Sequence, residues 1–505
     1  MQRAKQTKFN IIISLLHQLV TAVCGLVLPR FVLSNYGSEV NGVLQSISQL
    51  LGYTILFEGG IGGVIRASLY KPIADNDEEA ISDIFNNTKR FFNKMSLLFV
   101  VVAFVLCFGI KLIISTEFSA LYVGTLTLIL GLNTYFSYYF GISQQILMKA
   151  DQKIYIVQLV QSITLVLNLS LCIIAIESGL GIHAVKFITA AVFLLNPLVY
   201  KIYVKRHYKI SKTLYDSNST LRGKSDALIH HIAYFIHRNT DIVIISAFCG
   251  VKSASVYSVY NAVIIMTENL LNSISAGLAA AMGNMLAREE KEALSNSFEI
   301  YESVNTALTM AIATVTAILI VPFVGIYTSG INDVNYIEPV FAYMMIGAGA
   351  MYCLRMPYGT VVGSAGHYKE TRFGAVCEMV INLGVSLVLV KPFGIAGVAA
   401  ATLLAMTYRT FYLVWYLSRN IIKRPIAKYL KSLFLNLSVC VVGVWIFNEF
   451  LTISAKNLIE FLVEAVKVSL IVFPVFALFN WLLNRNTFKF VKLKVKKFGR
   501  KKDEI

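Results

Sequence analysis

The sequence predicts an all-α, polytopic membrane protein with fourteen transmembrane helices, and three observations support that prediction. First, 56% of the 505 residues are hydrophobic and only 14% are charged, whereas a soluble domain carries about 25% charged residues. Second, stretches of about twenty mainly apolar residues, the length that crosses a bilayer as a helix, recur along the whole chain. Third, Lys and Arg residues alternate between the connections that join these stretches, as positive residues do on the two sides of a membrane.

Fourteen stretches are long and apolar enough to cross a membrane. The seventh is the least apolar, because it contains Arg238 and Asp241. The approximate ranges are 9–33, 40–66, 91–116, 118–147, 154–176, 180–204, 226–249, 254–287, 298–328, 336–363, 373–392, 394–418, 429–450 and 457–484.

The distribution of positive residues predicts that both termini are cytoplasmic. The termini and the even-numbered connections, with their flanking residues, carry 35 Lys and Arg residues, whereas the odd-numbered connections carry only Lys252, Lys391 and Lys456. Positive residues stay on the cytoplasmic side, and a missed or extra span would scramble this alternation. The basic clusters at 201–224 and 485–502 are therefore expected at the inner leaflet, where they contact anionic lipids.

Two halves of the chain resemble each other at an offset of about 213 residues. SNYGSEVNGV from Ser34 is similar to SAFCGVKSASV from Ser246, and GLGIHAV from Gly179 is similar to FGIAGVA from Phe393. Six spans per copy is an even number, so both copies enter the membrane in the same direction, which is typical of transporters with parallel repeats. The predicted organisation is an N-terminal lobe at 1–212, a C-terminal lobe at 213–425, two further spans at 426–484 and a basic cytoplasmic tail at 485–505.

Sequence motifs for catalysis are absent. The sequence contains no HExxH, GxSxG or Walker A motif, and no connection exceeds roughly 25 residues, so a catalytic domain has no place in it. We therefore expect no enzymatic activity, no resident metal and no organic cofactor. The net charge of +17 is attributed to topology and lipid contact rather than to nucleic-acid binding.

Ionisable side chains inside a span are costly, so each is a candidate for function. Arg30, Arg66, Lys111 and Lys186 lie nearer the span ends, where their side chains could reach the interface. The remainder lie well inside the spans: Glu58, Arg238, Asp241, Glu268, Arg355, Glu378, Arg409, Glu464 and Lys467. The last two are three residues apart and are expected to form a structural ion pair.

Four arginines are candidates for binding an anionic headgroup: Arg30, Arg66, Arg238 and Arg355. Guanidinium offers phosphate a bidentate fork and stays charged at any pH. Arg30 and Arg238 belong to the first spans of the two copies, which parallel repeats would bring to facing walls of a cavity. The alternative is that each arginine is an interfacial anchor or half of an ion pair, and Arg238 could pair with Asp241 three residues on.

A candidate site for a coupling ion, Na⁺ or H⁺, involves Glu378, Asn382 and Thr402. Glu378 and Asn382 are four residues apart and share a helix face, and Thr402 lies on the next span. Carboxylate, amide and hydroxyl oxygens suit a hard cation or a proton. Interhelical hydrogen bonds that serve only packing would explain the same residues.

A run of glycines in the second span, Gly59, Gly60, Gly62 and Gly63, predicts a gate or hinge. Glycine lets a helix bend and lets neighbouring helices approach closely. Bending near the middle of the bilayer is what alternating access requires, whereas close packing alone is the other interpretation.

Four passages carry a resemblance to a known family. They are LPRFVLSNYGSEVNG, LFEGGIGGVIRASLY, RNTDIVIISAFCGVKSASVYSVYN and GSAGHYKETRFGAVCEMVINLGVSLVLVKPFGIAGVAAATLL. Over essentially its full length the chain resembles the Wzx-type polysaccharide flippases of the MOP superfamily. The glycine after the first span follows Asn-Tyr here rather than the commoner Leu, which is a minor departure.

The resemblance implies a fold of two six-helix lobes around a V-shaped cavity. It also implies movement of an undecaprenyl-diphosphate-linked oligosaccharide to the outer leaflet of the bacterial plasma membrane, for synthesis of O-antigen, capsule or exopolysaccharide. Cavity arginines bind the diphosphate in the family, and the best matches here are Arg30, Arg66 and Arg238. The implied partners are the lipid-linked oligosaccharide, membrane lipids, a polysaccharide polymerase and other glycan-assembly proteins.

The resemblance also bears on the coupling ion. Related flippases of lipid-linked peptidoglycan precursors bind sodium between spans 7, 11 and 12, and the nearest matches here are Asp241, Glu378, Asn382 and Thr402. The acid and the amide of span 11 appear in swapped order in this sequence, so the match of this site is incomplete.

Two other functions remain open at this stage. A MATE-type, cation-coupled exporter of small amphipathic molecules has the same fold, but it predicts an acid-rich lobe with few cavity arginines. A membrane-embedded glycan-assembly enzyme or scaffold is the other alternative. A polymerase should have a long extracytoplasmic loop with Arg and His, and this sequence has none.

Overall fold

The computed structural model describes residues 2–54, 61–211, 225–450, 455 and 457–485, and every regular element among them is a helix. The predicted all-α class is confirmed for this part of the chain. Contacts divide the chain into two compact units. Unit 1 comprises Met1–Ser258 and Gly330–Val334, and unit 2 comprises Val259–Ser329 and Asn335–Ile505. A division by contacts does not test whether the chain contains an internal duplication, so the predicted lobe boundary at residue 212 stays a prediction.

Unit 1 is built from nine helices and the beginning of a tenth among the described residues. They are α1 (Gln2–Gly52), α2 (Ile61–Asp75), α3 (Glu78–Ile113), α4 (Ala120–Phe136), α5 (Ile142–Ala150), α6 (Ile154–Glu177), α7 (Ile182–Phe193), α8 (Leu195–His207), α9 (Ser225–Phe248) and α10 (Val251–Ala287). A π-helical turn at Ser137–Gly141 joins α4 to α5. Helix α10 starts in unit 1 and passes into unit 2 at Val259.

Unit 2 contains the remainder of α10 and six further helices. They are α11 (Lys291–Tyr327), α12 (Pro339–Leu354), α13 (Met356–Ser364), α14 (Tyr368–Asn420), α15 (Ala427–Phe450) and α16 (Leu458–Leu483). Helix α11 packs against α12, α15 and α16. Two buried amides hydrogen-bond between α15 and α16, where Asn480 Nδ2 donates to Asn436 Oδ1 at 2.7 Å.

Two long helices are interrupted at a glycine. In α1 the break is at Gly37, with φ 80° and ψ 175°, and in α14 it is at Gly394, with φ 56° and ψ −135°. Only glycine adopts such positive φ values without strain. The break at Gly37 lies between predicted spans 1 and 2, and the break at Gly394 lies at the first residue of predicted span 12.

Ten helices of the described residues are long and apolar enough to cross a membrane. Large apolar side chains also lie on the outside of the units; Leu112 is 91% exposed and Ile459 is 76% exposed. Such exposure is costly in water but not in lipid. A multi-pass membrane protein is therefore what the chain forms, and the exact number of fourteen spans stays a prediction.

The second half of α1 packs closely against α9 and the start of α10 within unit 1. A Cβ atom at Gly42 would lie 1.7 Å from the carbonyl oxygen of Val251, so no larger residue fits there without movement of the backbone. Nearby, the hydroxyls of Ser46 and Ser246 are 2.6 Å apart. Small residues thus let these helices approach to backbone contact.

Candidate functional site

A buried ion pair in unit 2 joins two residues to which the sequence analysis gave different roles. Arg355 lies between α12 and α13, and its Nη1 donates to Oε1 of Glu378 on α14 at 2.5 Å. Both side chains are less than 10% exposed. Arg355 also lies over the ring of Tyr352, with 4.9 Å between guanidinium carbon and ring centroid. The headgroup candidate and the coupling candidate therefore contact each other.

Arg409, on the second half of α14, reaches the same carboxylate. Its Nε lies 3.6 Å from Oε2 of Glu378, and its Nη1 donates to the carbonyl of Thr371 at 3.1 Å. A Cβ atom at Gly374 would lie 2.5 Å from Arg409 Nη1, so glycine makes room for the guanidinium. Two arginines thus flank one acid, and the trio carries a net positive charge.

One turn beyond Glu378, a second polar contact links the two halves of α14. Asn382 Nδ2 donates to Thr402 Oγ1 at 3.0 Å, and both residues are buried. The structure therefore brings Asn382 and Thr402 together as the sequence analysis expected, on the helix that carries Glu378. Whether they bind an ion stays a prediction. In the described part of the chain, no group of three or more His, Cys, Asp or Glu residues could hold a metal ion.

Asp241, the other coupling candidate, lies on α9 in unit 1. It is buried, and its Oδ2 accepts a hydrogen bond from the hydroxyl of Tyr257 on α10 at 3.1 Å. The preceding residue, Thr240, forms a hydrogen bond of 2.9 Å with the hydroxyl of Tyr53, which directly follows α1. These two hydrogen bonds link the C-terminal half of α9 to α10 and to the segment that follows α1, within unit 1.

The remaining arginine candidates all belong to unit 1 but lie on different helices. Arg30 follows Pro29 in α1 and is half-buried, Arg66 in α2 is exposed, and Arg238 in α9 is half-buried. Their binding of phosphate stays a prediction.

The glycine run is only partly described. Gly59, Gly60 and the adjacent Glu58 lie outside the described residues, whereas Gly62 and Gly63 form the first turn of α2. A Cβ atom at Gly63 would meet nothing within 4 Å. A hinge role for these glycines stays a prediction.

Sequence reasoning missed a second buried ionic cluster in unit 2. Arg424, between α14 and α15, donates from Nη1 to Oε2 of Glu302 on α11 at 2.5 Å and from Nη2 to Oε1 of the same acid. The hydroxyl of Tyr358 donates to Glu302 and accepts from Arg424 Nη2 at 2.7 Å. The only signal in the sequence was an acid in a predicted span and an arginine in a connection 122 residues away.

The charge state of Arg424 follows from that geometry. Burial of its guanidinium acts to lower the pKa, but the hydrogen bonds to Glu302 and the nearby negative charges of Glu302 and Glu299 outweigh burial. The pKa of Arg424 therefore lies above its usual range, and its guanidinium is charged at any physiological pH.

The predicted ion pair on the last span is confirmed. Lys467 Nζ lies 2.8 Å from Glu464 Oε1, three residues earlier on α16, with both side chains partly exposed. Such a pair neutralises two charges on an otherwise apolar helix.

Comparison with known proteins identifies the fold. No protein-family model matches the chain, and no curated protein matches it. Among solved structures, the lipid II flippase MurJ in an inward closed conformation matches 93% of this chain and 99% of its own, with a TM-score of 0.72 and 16% identity. The chain has the fold of MOP-superfamily transporters. An inward-facing MATE-family multidrug resistance transporter of that superfamily matches 81% of this chain and 97% of its own, with a TM-score of 0.66 and 12% identity.

A further MATE structure, in complex with MaL6, matches 82% of this chain and 96% of its own, with a TM-score of 0.59 and 12% identity. The first of these structures is named as a flippase and the second as a transporter. The superfamily expected from the resemblance is therefore supported at the level of the fold. Membership of the Wzx-type group within it stays a prediction.

Proposed function

We propose that this chain is a flippase that moves an undecaprenyl-diphosphate-linked oligosaccharide across the bacterial plasma membrane by alternating access, for synthesis of O-antigen, capsule or exopolysaccharide. The observation that carries the proposal is the fold, which the chain shares over 93% of its length with a lipid II flippase. A fold alone does not define a cargo. The charges of the chain supply the second part of the argument.

A diphosphate must cross a hydrocarbon layer of about 30 Å with its negative charge, so the protein has to supply cations in a wet cavity. Arg30, Arg66 and Arg238 are the residues we propose for that role, because guanidinium binds phosphate with two parallel hydrogen bonds. Arg355 is held by Glu378 at 2.5 Å. It would therefore contribute to headgroup binding only after that ion pair opens.

Two features of the backbone support the proposed repeat and the proposed division into fourteen spans. Gly37 and Gly250 are 213 positions apart and both have positive φ, of 80° and 84°. Each lies where one predicted span ends and the next begins, so the same turn recurs at the repeat interval. The break at Gly394 likewise divides a 53-residue helix, which is too long for a single span of about twenty residues.

We further propose that transport is coupled to a gradient of Na⁺ or H⁺. The candidate residues are Asp241, Glu378, Asn382 and Thr402, which are buried acids or buried oxygen donors. Because Glu378 already contacts Arg355 and Arg409, a cation could reach its carboxylate only in a conformation in which at least one guanidinium has moved away. Coupling would then consist of a cation replacing an arginine guanidinium at the carboxylate of Glu378.

The test is transport by the purified chain reconstituted in vesicles. Undecaprenyl-diphosphate-linked oligosaccharide, labelled on its sugar, should become accessible to an external glycosidase faster in vesicles with the protein than in protein-free vesicles. Vesicles should be compared with imposed Na⁺ and H⁺ gradients and with both collapsed. Transport that is unaffected by collapse of both gradients would remove the coupling proposal and leave the flippase proposal intact.

The same vesicles test the alternative function of drug export, which is considered because two MATE structures share this fold. Uptake of an organic cation such as ethidium, without oligosaccharide flipping, would overturn the proposed function. Partners of the flippase, a polysaccharide polymerase and other glycan-assembly proteins, belong to the same proposal and follow from its place in polymer synthesis.

A further inference from the structure

Unit 1 contains a partly open cavity of about 300 Å³, and Lys186 on α7 is the one charged residue among the described residues that line it. The cavity lies between α1, α4, α7 and the π turn that follows α4. Apart from the lysine, its polar lining residues are Ser48, Thr54, Asn133, Thr134, Tyr138 and Thr189. A volume of this order is at the small end of ligand-binding cavities.

Lys186 has no counter-charge among the residues that the structure describes. It forms no ion pair and donates no hydrogen bond to them, although it is half-buried. An ammonium group in the interior of a membrane protein is costly to keep without a partner, so it is normally paired or serves a ligand. The neighbouring Cys172 thiol is already engaged with Asn168 and Thr189, at 3.3 Å and 3.4 Å.

Other polar groups of the lining are also available to a ligand. The amide of Asn133 and the hydroxyl of Thr134 form no hydrogen bond with any residue in the described part of the chain. An amide both donates and accepts, and so does a hydroxyl, which is the pattern that sugar hydroxyls need. Tyr138 also lines the cavity, but its ring contacts that of Phe92, with 6.0 Å between centroids.

We infer that this cavity binds a sugar acid, a hydroxyl-rich ring with one carboxylate. A single ammonium is a point charge with three donors, which suits one carboxylate, whereas the bidentate fork that favours phosphate belongs to arginine. Inorganic phosphate would use the charge, but it offers few donors to the side-chain oxygens of Asn133 and Thr134, the two uncharged polar lining residues whose side chains form no hydrogen bond in the described part of the chain. An organic cation is disfavoured, because the one charge among the described lining residues is positive.

This inference deepens the proposed function, on which it rests for its biological meaning: the sugar acid would be an acidic residue of the oligosaccharide cargo. The site itself does not depend on transport, because the cavity and Lys186 belong to unit 1 alone. Binding can therefore be measured without flipping.

The experiment titrates glucuronate, glucose and inorganic phosphate into the purified full-length chain in nanodiscs by calorimetry. Glucuronate is expected to bind saturably, and glucose, which lacks the carboxylate, at least about tenfold more weakly, because a hydrogen bond to a charged group is lost. Lys186→Met should abolish glucuronate binding. Asn133→Leu, which keeps the lysine, should weaken it. Lys94→Met removes an exposed lysine of α3 in the same unit and should bind glucuronate as the wild type does.

Three results would overturn the inference: no glucuronate binding by the wild type, unchanged binding by a Lys186→Met protein with a normal unfolding midpoint, or phosphate binding as tight as that of glucuronate. Should Lys186→Met not fold, unchanged binding by Asn133→Leu has the same meaning. The proposed function fails separately. If the vesicles flip no lipid-linked oligosaccharide but glucuronate still binds, the flippase proposal is wrong and the sugar-acid site stands. If flipping is active but glucuronate does not bind, the flippase proposal stands and the sugar-acid site is wrong.

Discussion

Asp333 caps the part of α1 that begins at Ser38, although 295 residues separate the two in sequence. Asp333 Oδ2 accepts a hydrogen bond from the backbone N–H of Ser38 at 2.7 Å, and Oδ1 accepts one from its hydroxyl at 2.6 Å. The preceding Gly37 turns the chain with φ 80°, so the N–H of Ser38 starts a new helical segment and needs an acceptor from outside it. A carboxylate at a helix N-terminus satisfies orphan donors and the helix dipole together.

Replacement of Asp333 by alanine should therefore loosen the start of this helix segment. We expect a loss of about 1 to 2 kcal/mol in local stability, the usual cost of removing an N-cap. Asp333→Asn keeps one acceptor oxygen and should have an intermediate effect. Amide hydrogen exchange at residues 38–43 measures both, and equal exchange in Asp333→Ala and the wild type would contradict the assignment.

Gly42→Ala should destabilise unit 1, because the new Cβ atom would lie 1.7 Å from the carbonyl oxygen of Val251. Forced separation of two packed helices typically costs about 1 to 3 kcal/mol. Gly25→Ala on the same helix is the matched control, since a Cβ atom there would meet nothing within 4 Å. That control should be neutral or slightly stabilising. Thermal unfolding in detergent compares the two, and similar midpoints would refute the close contact.

Glu378→Gln should leave two buried guanidinium groups, those of Arg355 and Arg409, without their acid. Removal of one partner from a buried ion pair costs roughly 3 to 5 kcal/mol, because the remaining charge is uncompensated. Glu78→Gln provides the contrast: its pair with Lys209 is exposed and 3.6 Å long, and such pairs contribute about 0 to 1 kcal/mol. Chemical or thermal unfolding should separate the variants clearly, and equal losses would argue against the buried cluster.

Arg30 and Arg238 should be required for export of surface glycan if they bind the diphosphate. Lysine keeps the charge but loses the bidentate fork, and glutamine loses both, so export should fall in the order wild type, lysine variant, glutamine variant. Glycan at the cell surface is measured at matched membrane levels of the protein. If the double variant Arg30→Gln, Arg238→Gln still exports glycan, these residues are interfacial anchors and do not bind the diphosphate.

Fourteen spans with both termini inside predict a definite labelling pattern. Cysteines introduced into the predicted tail at 485–505 and into the basic connection at 201–224 should be protected from an impermeant thiol reagent in intact cells. A cysteine at Lys252, in an odd-numbered connection, should react. The seven native cysteines must first be replaced, and labelling of the tail in intact cells would refute the topology.

The helices could be predicted because their signal is local. Hydropathy over about twenty residues and the Lys/Arg bias of the adjacent connection are both properties of short segments. The pair Glu464 and Lys467 could be predicted for the same reason, since three residues on one helix define a contact.

The partners of the buried charges could not be predicted in this way. Arg355 could have met any acid within reach, and its contact with Glu378 depends on how α12 and α14 pack. Asp333 lies in a connection with no helical period, so nothing near it in sequence pointed to Ser38. Long-range polar contacts depend on tertiary packing, which hydropathy and spacing do not encode.

The π turn at Ser137–Gly141 shifts the register of its helix by one residue. A π-helical turn carries an i to i+5 hydrogen bond and so accommodates one residue more than the α-helical turn around it. Each residue of α5 therefore lies about 100° around the axis from where an uninterrupted α-helix would put it. A homologue with a wholly α-helical segment here should align with this chain across a single-residue gap near Tyr139, and a homologue without that gap should share the turn.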